Sequence, residues 1–563
     1  MTYKLLCIVL LLYVGFPALG QTQNIYLDIE SSNQRIDSIA SIYFPERIFK
    51  NKNRLKESLD KSKDSLLKNG YFKHRLINLI SSQDSIYRIQ FLPGPATGII
   101  KLKFESNLVR SNAKALNIKI DSSHIYIRPN KLQEVFESFV DLDTKNGRPL
   151  SNYSITTIDV SKDTAQARLV IKNTSPRIIN DIQIKGYEKF PKSFLKYFTK
   201  LKKNKPYNEE QLSRSYTNLK RLNFISISKE PDVLFKKDST SIYVYVVKKN
   251  ANQFEGFLGF ASNENDSGLR LNGNLNLKLN NTLNYGEQLQ IQFRGNGDDQ
   301  QQLEASLRMP YIFKSPLSAT PSLRLFRQDS TFSTNETNLK IDYTKSAYLL
   351  LNSSISFKKS NQLQKQSNLT KVENFRKTVI STGIEYQTIR TFNSLSPTNY
   401  LNLSIGIANR KMADSNSEIN QLLIDSESSY TINLADKHSI YLKNKTFFLS
   451  PKEVYLNELS QFGGMNTIRG YKENSIYASF FSTIQTEYQF KPVDNIILNT
   501  VFDAAYFENP VNENSDLTYG IGIGGGVFTK AGWLNINAAT PFKINNKLQF
   551  SKSIIHISLK SFF

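Results

Sequence analysis

The chain has 563 residues, of which 39% are hydrophobic and 21% charged, with a formal net charge of +23 and a mean hydropathy of −0.39. That length allows several domains. No segment after the N-terminal leader is apolar for long enough to cross a bilayer as a helix; this excludes a helical membrane protein but not a barrel, whose strands are only half apolar. The lysines are spread along the chain, so the charge reads as composition rather than as a nucleic-acid patch; contact with anionic lipid headgroups is the other reading.

The N-terminus, "MTYKLLCIVLLLYVGFPALGQ", has one early lysine, Lys4, then a short apolar run, then Ala18-Leu19-Gly20. Small residues at −3 and −1 predict a signal peptide over 1–20, cleaved between Gly20 and Gln21. The alternative, an uncleaved anchor, would need a longer apolar run and a basic stop. The one cysteine, Cys7, lies inside this segment and away from the cleavage point, so neither acylation, disulfides nor thiolate chemistry is expected of the mature chain.

From 21 to about 249, helical patterns alternate with short strands in three units: 21–95, 96–174 and 175–249. The first shows a helix, "NRLKESLDKSKDSLLKNGYF", stopped by Gly70, and then a hairpin. The second is less regular, with "IIKLKF", a helix near 130–140 and a hairpin ending "ARLVIKN". The third reads as a strand, a short helix opened by Pro191, a second helix with Leu212, Tyr216, Leu219 and Leu222 on one face, and two strands. The order is β-α-α-β-β.

After 250 the pattern is strand upon strand. In "LRLNGNLNLKL", Leu269, Leu271, Gly273, Leu275, Leu277 and Leu279 fall on one face and Arg270, Asn272, Asn274, Asn276 and Lys278 on the other. Sixteen period-two segments of this kind span 250–563, at about twenty residues per strand and connection, which predicts a sixteen-stranded antiparallel transmembrane barrel. The apolar face would meet lipid and the Asn, Gln, Lys and Ser face a wet lumen. The chain closes on a strand predicted from 547, in which Ile555, Ile557, Leu559 and Phe563 alternate; it resembles the C-terminal signal by which bacterial outer-membrane barrels are recognised during assembly.

Between the eleventh and twelfth predicted strands lies "GGMNTIRGY", residues 463–471. It is followed by "QTEYQF", "VFDAAYF" and a glycine-rich hairpin, "YGIGIGGGV" with "AGWLNINAATPF". With three β-α-α-β-β units before a sixteen-stranded barrel, these motifs resemble the BamA/TamA family of outer-membrane assembly and translocation proteins, whose N-terminal modules are POTRA domains. The three-module count is closest to the TamA-like branch. The resemblance implies that a loop over 451–475 folds back into the barrel. In it, Gly463, Gly464, Ile468, Arg469, Gly470 and Tyr471 form the arginine-loop motif, and Glu487 and Asp503 accept the guanidinium as a latch. A planar fork held by two carboxylates is what a guanidinium in a partly dry lumen requires. The alternative is a surface turn with an exposed arginine.

The resemblance further implies a bacterial outer-membrane location with the modules in the periplasm, where they receive unfolded outer-membrane or secreted client proteins. The bilayer, and a periplasmic or inner-membrane protein reached through the modules, are the other expected partners; nucleic acid is not. A dedicated secretion pore for one substrate is the first alternative, and an outer-membrane enzyme or passive channel the second. His74, His124, His438 and His556 are scattered, and neither HExxH nor GxSxG occurs; no catalytic residue, metal or cofactor is expected. Mass spectrometry of the membrane-inserted protein should find the N-terminus at Gln21; an intact Met1 there would refute the leader.

Overall fold

The computed structural model describes residues 24–79, 86–161, 163–263, 266–296, 300–364, 371–388, 399–415, 417–451, 453–530, 532–543 and 549–562. Gly20, Gln21 and the terminal Phe563 lie outside these residues. The described residues fall into two compact units: those up to 178 with 205–209, and 179–204 with those from 210 onward.

The first unit holds two sheets of one design. In the first sheet, strand Ile25–Glu30 lies parallel to Ile86–Leu92, with Ile48–Phe49 and Arg75–Leu79 on the outer edges. Two helices, Gln34–Tyr43 and Lys52–Lys68, cover it, and each begins at an asparagine whose side chain accepts a backbone N–H: Asn33 from Ile36 at 3.0 Å and Asn51 from Arg54 at 2.9 Å. The second helix stops at Gly70, whose φ of +90° suits glycine. Phe44 and Phe91 meet edge to face beneath the helices, with ring centroids 5.3 Å apart.

The second sheet repeats the order with Ile99–Lys103 parallel to Thr164–Lys172, and His124–Ile127 and Asn152–Ser161 at the edges. Its helices are Asn107–Ala115 and Leu132–Lys145. The first of these is hard to read in sequence because its inward face includes a buried asparagine among Val109 and Ala113. Asn112 is satisfied by partners far along the chain: its amide donates to Asp143 Oδ1 and Tyr153 Oη, both at 3.1 Å, and Tyr153 donates to Asp143 Oδ2 at 2.6 Å. Burial first, and then the Asp143 carboxylate, hold the Tyr153 phenol above its ordinary pKa.

In the second unit, Ile179–Gly186 lies parallel to Thr240–Lys248, which pairs with Ile225–Phe235. Helices Ser193–Tyr197 and Glu209–Leu219 complete a β-α-α-β-β module. This module packs on the barrel turns. Phe194 meets Tyr311 edge to face with centroids 4.8 Å apart, and Tyr197 stacks on Tyr311 at 5.5 Å. Arg221 donates to the Gln387 carbonyl at 2.9 Å and lies 3.9 Å above the Tyr348 ring.

The barrel is closed, antiparallel and sixteen-stranded, from strand 1 (Gln253–Asn263) to strand 16 (Ile554–Phe562). Its outer face is apolar and bare: Ile555 and Ile557 are 64% and 65% exposed, as a lipid-facing surface requires, and Leu559 continues that row. The final strand starts at Ile554, later than the 547 its alternation predicts, because Phe550–Lys552 form a 3-10 turn.

Because the third module packs against the barrel, mild proteolysis of the detergent-folded protein should leave a fragment that begins near Ile179 and migrates faster when unheated. A stable fragment beginning near 250 would show that the module does not hold to the barrel.

Candidate functional site

The long loop between barrel strand 11 (His438–Ser450) and barrel strand 12 (Phe480–Val493) lies against the inner wall. It runs past residue 475, where the sequence pattern ends it, because Ser460–Phe462 and Ile476–Ala478 form their own two-stranded hairpin within it. Ile476–Ala478, although its alternation runs on towards barrel strand 12, is therefore the return arm of the loop.

Barrel strand 13 (Ile496–Asn509) supplies the main acceptor. Along it, Phe502 and Tyr506 are 48% and 40% exposed on the lipid side, while Val501, Asp503, Ala505 and Phe507 are buried on the inner side. Gln485 of strand 12 is the direct cross-strand partner of Asp503. Glu487, two residues further along strand 12, shares that inner face.

Arg469 is buried between them. Its Nε donates to Asp503 Oδ2 at 2.9 Å and its Nη2 to Asp503 Oδ1 at 2.7 Å, a two-pronged contact, and its own backbone N–H adds a third bond to Oδ2 at 2.9 Å. Nη1 donates to Glu487. Glu487 is held in turn by Gln489, whose amide donates to Oε2 at 2.7 Å. The sequence-derived trio thus comes together in one network, with Asp503 fully buried.

The surrounding residues explain how the backbone reaches the wall. Gly470 has a φ of +92° and lies against the Thr540–Pro541 backbone of barrel strand 15 (Gly532–Phe542). Gly520, in barrel strand 14 (Asn514–Thr529), pairs across the ladder with Asp503, and a Cβ there would collide with the Arg469 carbonyl. One glycine of the "YGIGIGGGV" stretch is thereby accounted for: it leaves room for the loop backbone. Gly463 and Gly464 close the turn that precedes the arginine, with Gly463 N–H donating to Thr467 Oγ1 at 2.8 Å and Gly464 N–H to the Ile468 carbonyl at 3.0 Å. Ile468 is buried in a core with Phe462, Phe481 and Phe507, where Phe462 and Phe481 stack at 4.5 Å. Tyr471 packs on the edge of that core and bonds through its hydroxyl to Thr518. Removal of water by this aromatic cluster strengthens the charge network beside it.

A second ionic cluster, Glu458 with Lys377 and Arg410, lies under the same loop. Sequence reasoning does not find it. The residues are separated by 81 and 48 positions, and in the sequence they look like any polar lumen positions.

Residues 177–249 match the POTRA family model, described as a surface antigen variable number repeat. The chain is similar in fold to CdiB from Acinetobacter baumannii (14% identity, 91% of this chain and 97% of that one, TM-score 0.54). It is equally similar to CdiB from Escherichia coli (12%, 90% and 97%, TM-score 0.54). BamA from Haemophilus ducreyi lacking POTRA domains 1–3 aligns at 15% identity over 82% of this chain and 98% of that one, with a TM-score of 0.49. No curated protein sequence matches the chain.

Removing one partner of a buried ionic network typically costs about 3–5 kcal/mol. Arg469→Ala should therefore loosen the 463–475 part of the loop without preventing barrel insertion, and protease added outside the cell should then cut within 463–475. Arg469→Lys should restore protection only in part, since an ammonium lacks the planar fork. In a double-mutant cycle, Arg469→Ala with Asp503→Asn should cost less than the two added separately; full additivity would mean the two do not interact.

Proposed function

Because the chain carries a POTRA domain joined to a closed sixteen-stranded barrel, the architecture of the BamA/TamA family, we propose that it is an outer-membrane factor that assembles or translocates other polypeptides, with its N-terminal modules in the periplasm. The observation that carries this reading is the seam. Barrel strands 1 and 16 pair at Gln253–Phe562, Phe254–Ser561 and Glu255–Lys560 among the described residues. Barrel strand 8 (Phe375–Thr388) and barrel strand 9 (Asn399–Met412), by contrast, pair along their whole length, from Phe375–Met412 to Thr388–Asn399. In hydrocarbon each unpaired backbone group costs several kcal/mol, so the cost of opening rises with the number of pairs and a short ladder opens far more cheaply than a full one.

An opened seam presents two unpaired strand edges, and an incoming client strand can add to either by β-augmentation. The third module packs on the barrel turns, so a segment bound to its sheet edge is delivered close to the wall. Client folding, with burial of its apolar face in lipid, drives the step. The loop pinned inside the barrel argues against a passive channel, because it occupies space a solute would need. No enzymatic role is proposed.

The reading that the barrel exports one dedicated substrate uses the same parts, with the loop moved aside. Depletion separates the two: loss of many outer-membrane barrels marks an assembly factor, and loss of one exported protein marks a secretion pore. The seam itself is tested by locking it. Oxidation of a Phe254→Cys, Ser561→Cys double variant should abolish client assembly or export, and reduction should restore it. A locked barrel that works as well as the reduced one would sink the proposal.

A further inference from the structure

The loop that carries Arg469 also carries a fully buried acid. Glu458 sits in a single 3-10 turn, Leu456–Glu458, near the start of the loop. One of its carboxylate oxygens is 3.1 Å from Lys377 Nζ and the other is 2.5 Å from Arg410 Nη1. Lys377 belongs to barrel strand 8 and Arg410 to barrel strand 9, and the two are direct cross-strand partners. Both are buried. Like charges directly opposite one another on a sheet repel, and with water excluded little screens them. A cation pair in that position needs an anion, and Glu458 supplies it.

Further contacts fix the same turn. Arg410 Nη1 also donates to the Glu453 carbonyl at 3.0 Å, and its guanidinium lies 4.9 Å from the centre of the Tyr455 ring. The Asn457 amide donates to Ser360 Oγ and to the Glu373 carbonyl, both at 2.8 Å. The loop is thus bound at two places on the wall: strands 8 and 9 through Glu458, and strands 12 and 13 through Arg469.

The two places have opposite polarity. At one, a loop anion faces two wall cations; at the other, a loop cation faces two wall carboxylates. We propose that Glu458, positioned by Lys377 and Arg410, is a second anchor of the lumen loop. The pair of anchors sets the orientation of the loop, since neither loop charge can take the other's place without meeting like charges. Breaking one anchor leaves the loop tethered by the other, so full release takes two ionic steps. The inference deepens the assembly reading by assigning the residues that hold and orient its loop, and it rests on that reading only for the consequence of release.

Single cysteines report on each anchor separately, because Cys7, the one native cysteine, can be replaced by Cys7→Ser. Val454 lies in the buried approach to Glu458, and Ile468 is buried beside Arg469. A membrane-impermeant maleimide added to cells should label both Val454→Cys and Ile468→Cys slowly. Adding Glu458→Gln should speed labelling of the Val454→Cys protein by at least about tenfold, the change that 1.4 kcal/mol makes in an opening equilibrium, while labelling of the Ile468→Cys protein changes much less. Arg469→Ala should do the reverse. Reversing the polarity of one pair, with Glu458→Lys and Lys377→Glu together while Arg410 keeps its contacts with Glu453 and Tyr455, should return the Val454→Cys protein to slow labelling, and it serves as the test if Glu458→Gln alone does not give a heat-modifiable barrel. Unchanged labelling in Glu458→Gln, or rapid labelling in the folded polarity reversal, overturns the second anchor. Client assembly is scored apart from labelling: a loop that loosens while assembly continues upholds the anchor and removes the loop from the assembly reading.

Discussion

A guanidinium in the interior of a barrel must be paired, and much of the local structure follows from that requirement. Arg469 is withdrawn from water, and an unpaired charge there would cost far more than the folded loop could recover from packing. Asp503 answers it with both oxygens and Glu487 with a third, and the arginine's own backbone N–H adds a further bond to Asp503. These bonds fix a backbone as well as a side chain. A loop held at that point must pass very close to strands 14 and 15, and Gly520 and Gly470 stand where it does.

The same requirement works in both directions. Lys377 and Arg410 face each other across two strands, an arrangement a sheet tolerates only with an acid between them. The wall therefore has a cationic and an anionic place, and the loop has one charge for each. Between these places the loop builds its own hairpin and an aromatic core around Phe462, Ile468 and Phe481. The interior is a small folded structure, while the outer face remains a plain apolar surface for lipid. Outside the barrel, the third module contributes an aromatic contact, Phe194 and Tyr197 on Tyr311, and a cation over Tyr348. These tie it to the turns and place its sheet near the barrel that receives whatever it binds.

The barrel was legible in the sequence because each of its strands separates two solvents. Lipid on one side and a wet lumen on the other impose period two, and that period survives even where individual limits shift by a few residues, as at Ile554. Helix Lys52–Lys68 was legible because Leu55, Leu59 and Leu66 recur on one face at helical spacing and Gly70 ends it. The arginine and its two acceptors could be named from the motifs that resemble a known family, since each lies in a short recognisable stretch. Helix Asn107–Ala115 was not legible, because its buried Asn112 is made tolerable only by Asp143 and Tyr153.

By itself, then, the sequence determined the alternation of faces, the division into modules and barrel, and the residue types able to form a latch. The inward turn of the loop was implied only by the resemblance of its motif; the tertiary structure alone decided that the loop continues to Ala478 through its own hairpin and that Glu458 finds Lys377 and Arg410. The reason is physical: a pattern of polarity records which solvent a residue meets, whereas a buried charge pair depends on which distant segments closure of the barrel brings within 3 Å or so of each other, and no local spacing encodes that distance.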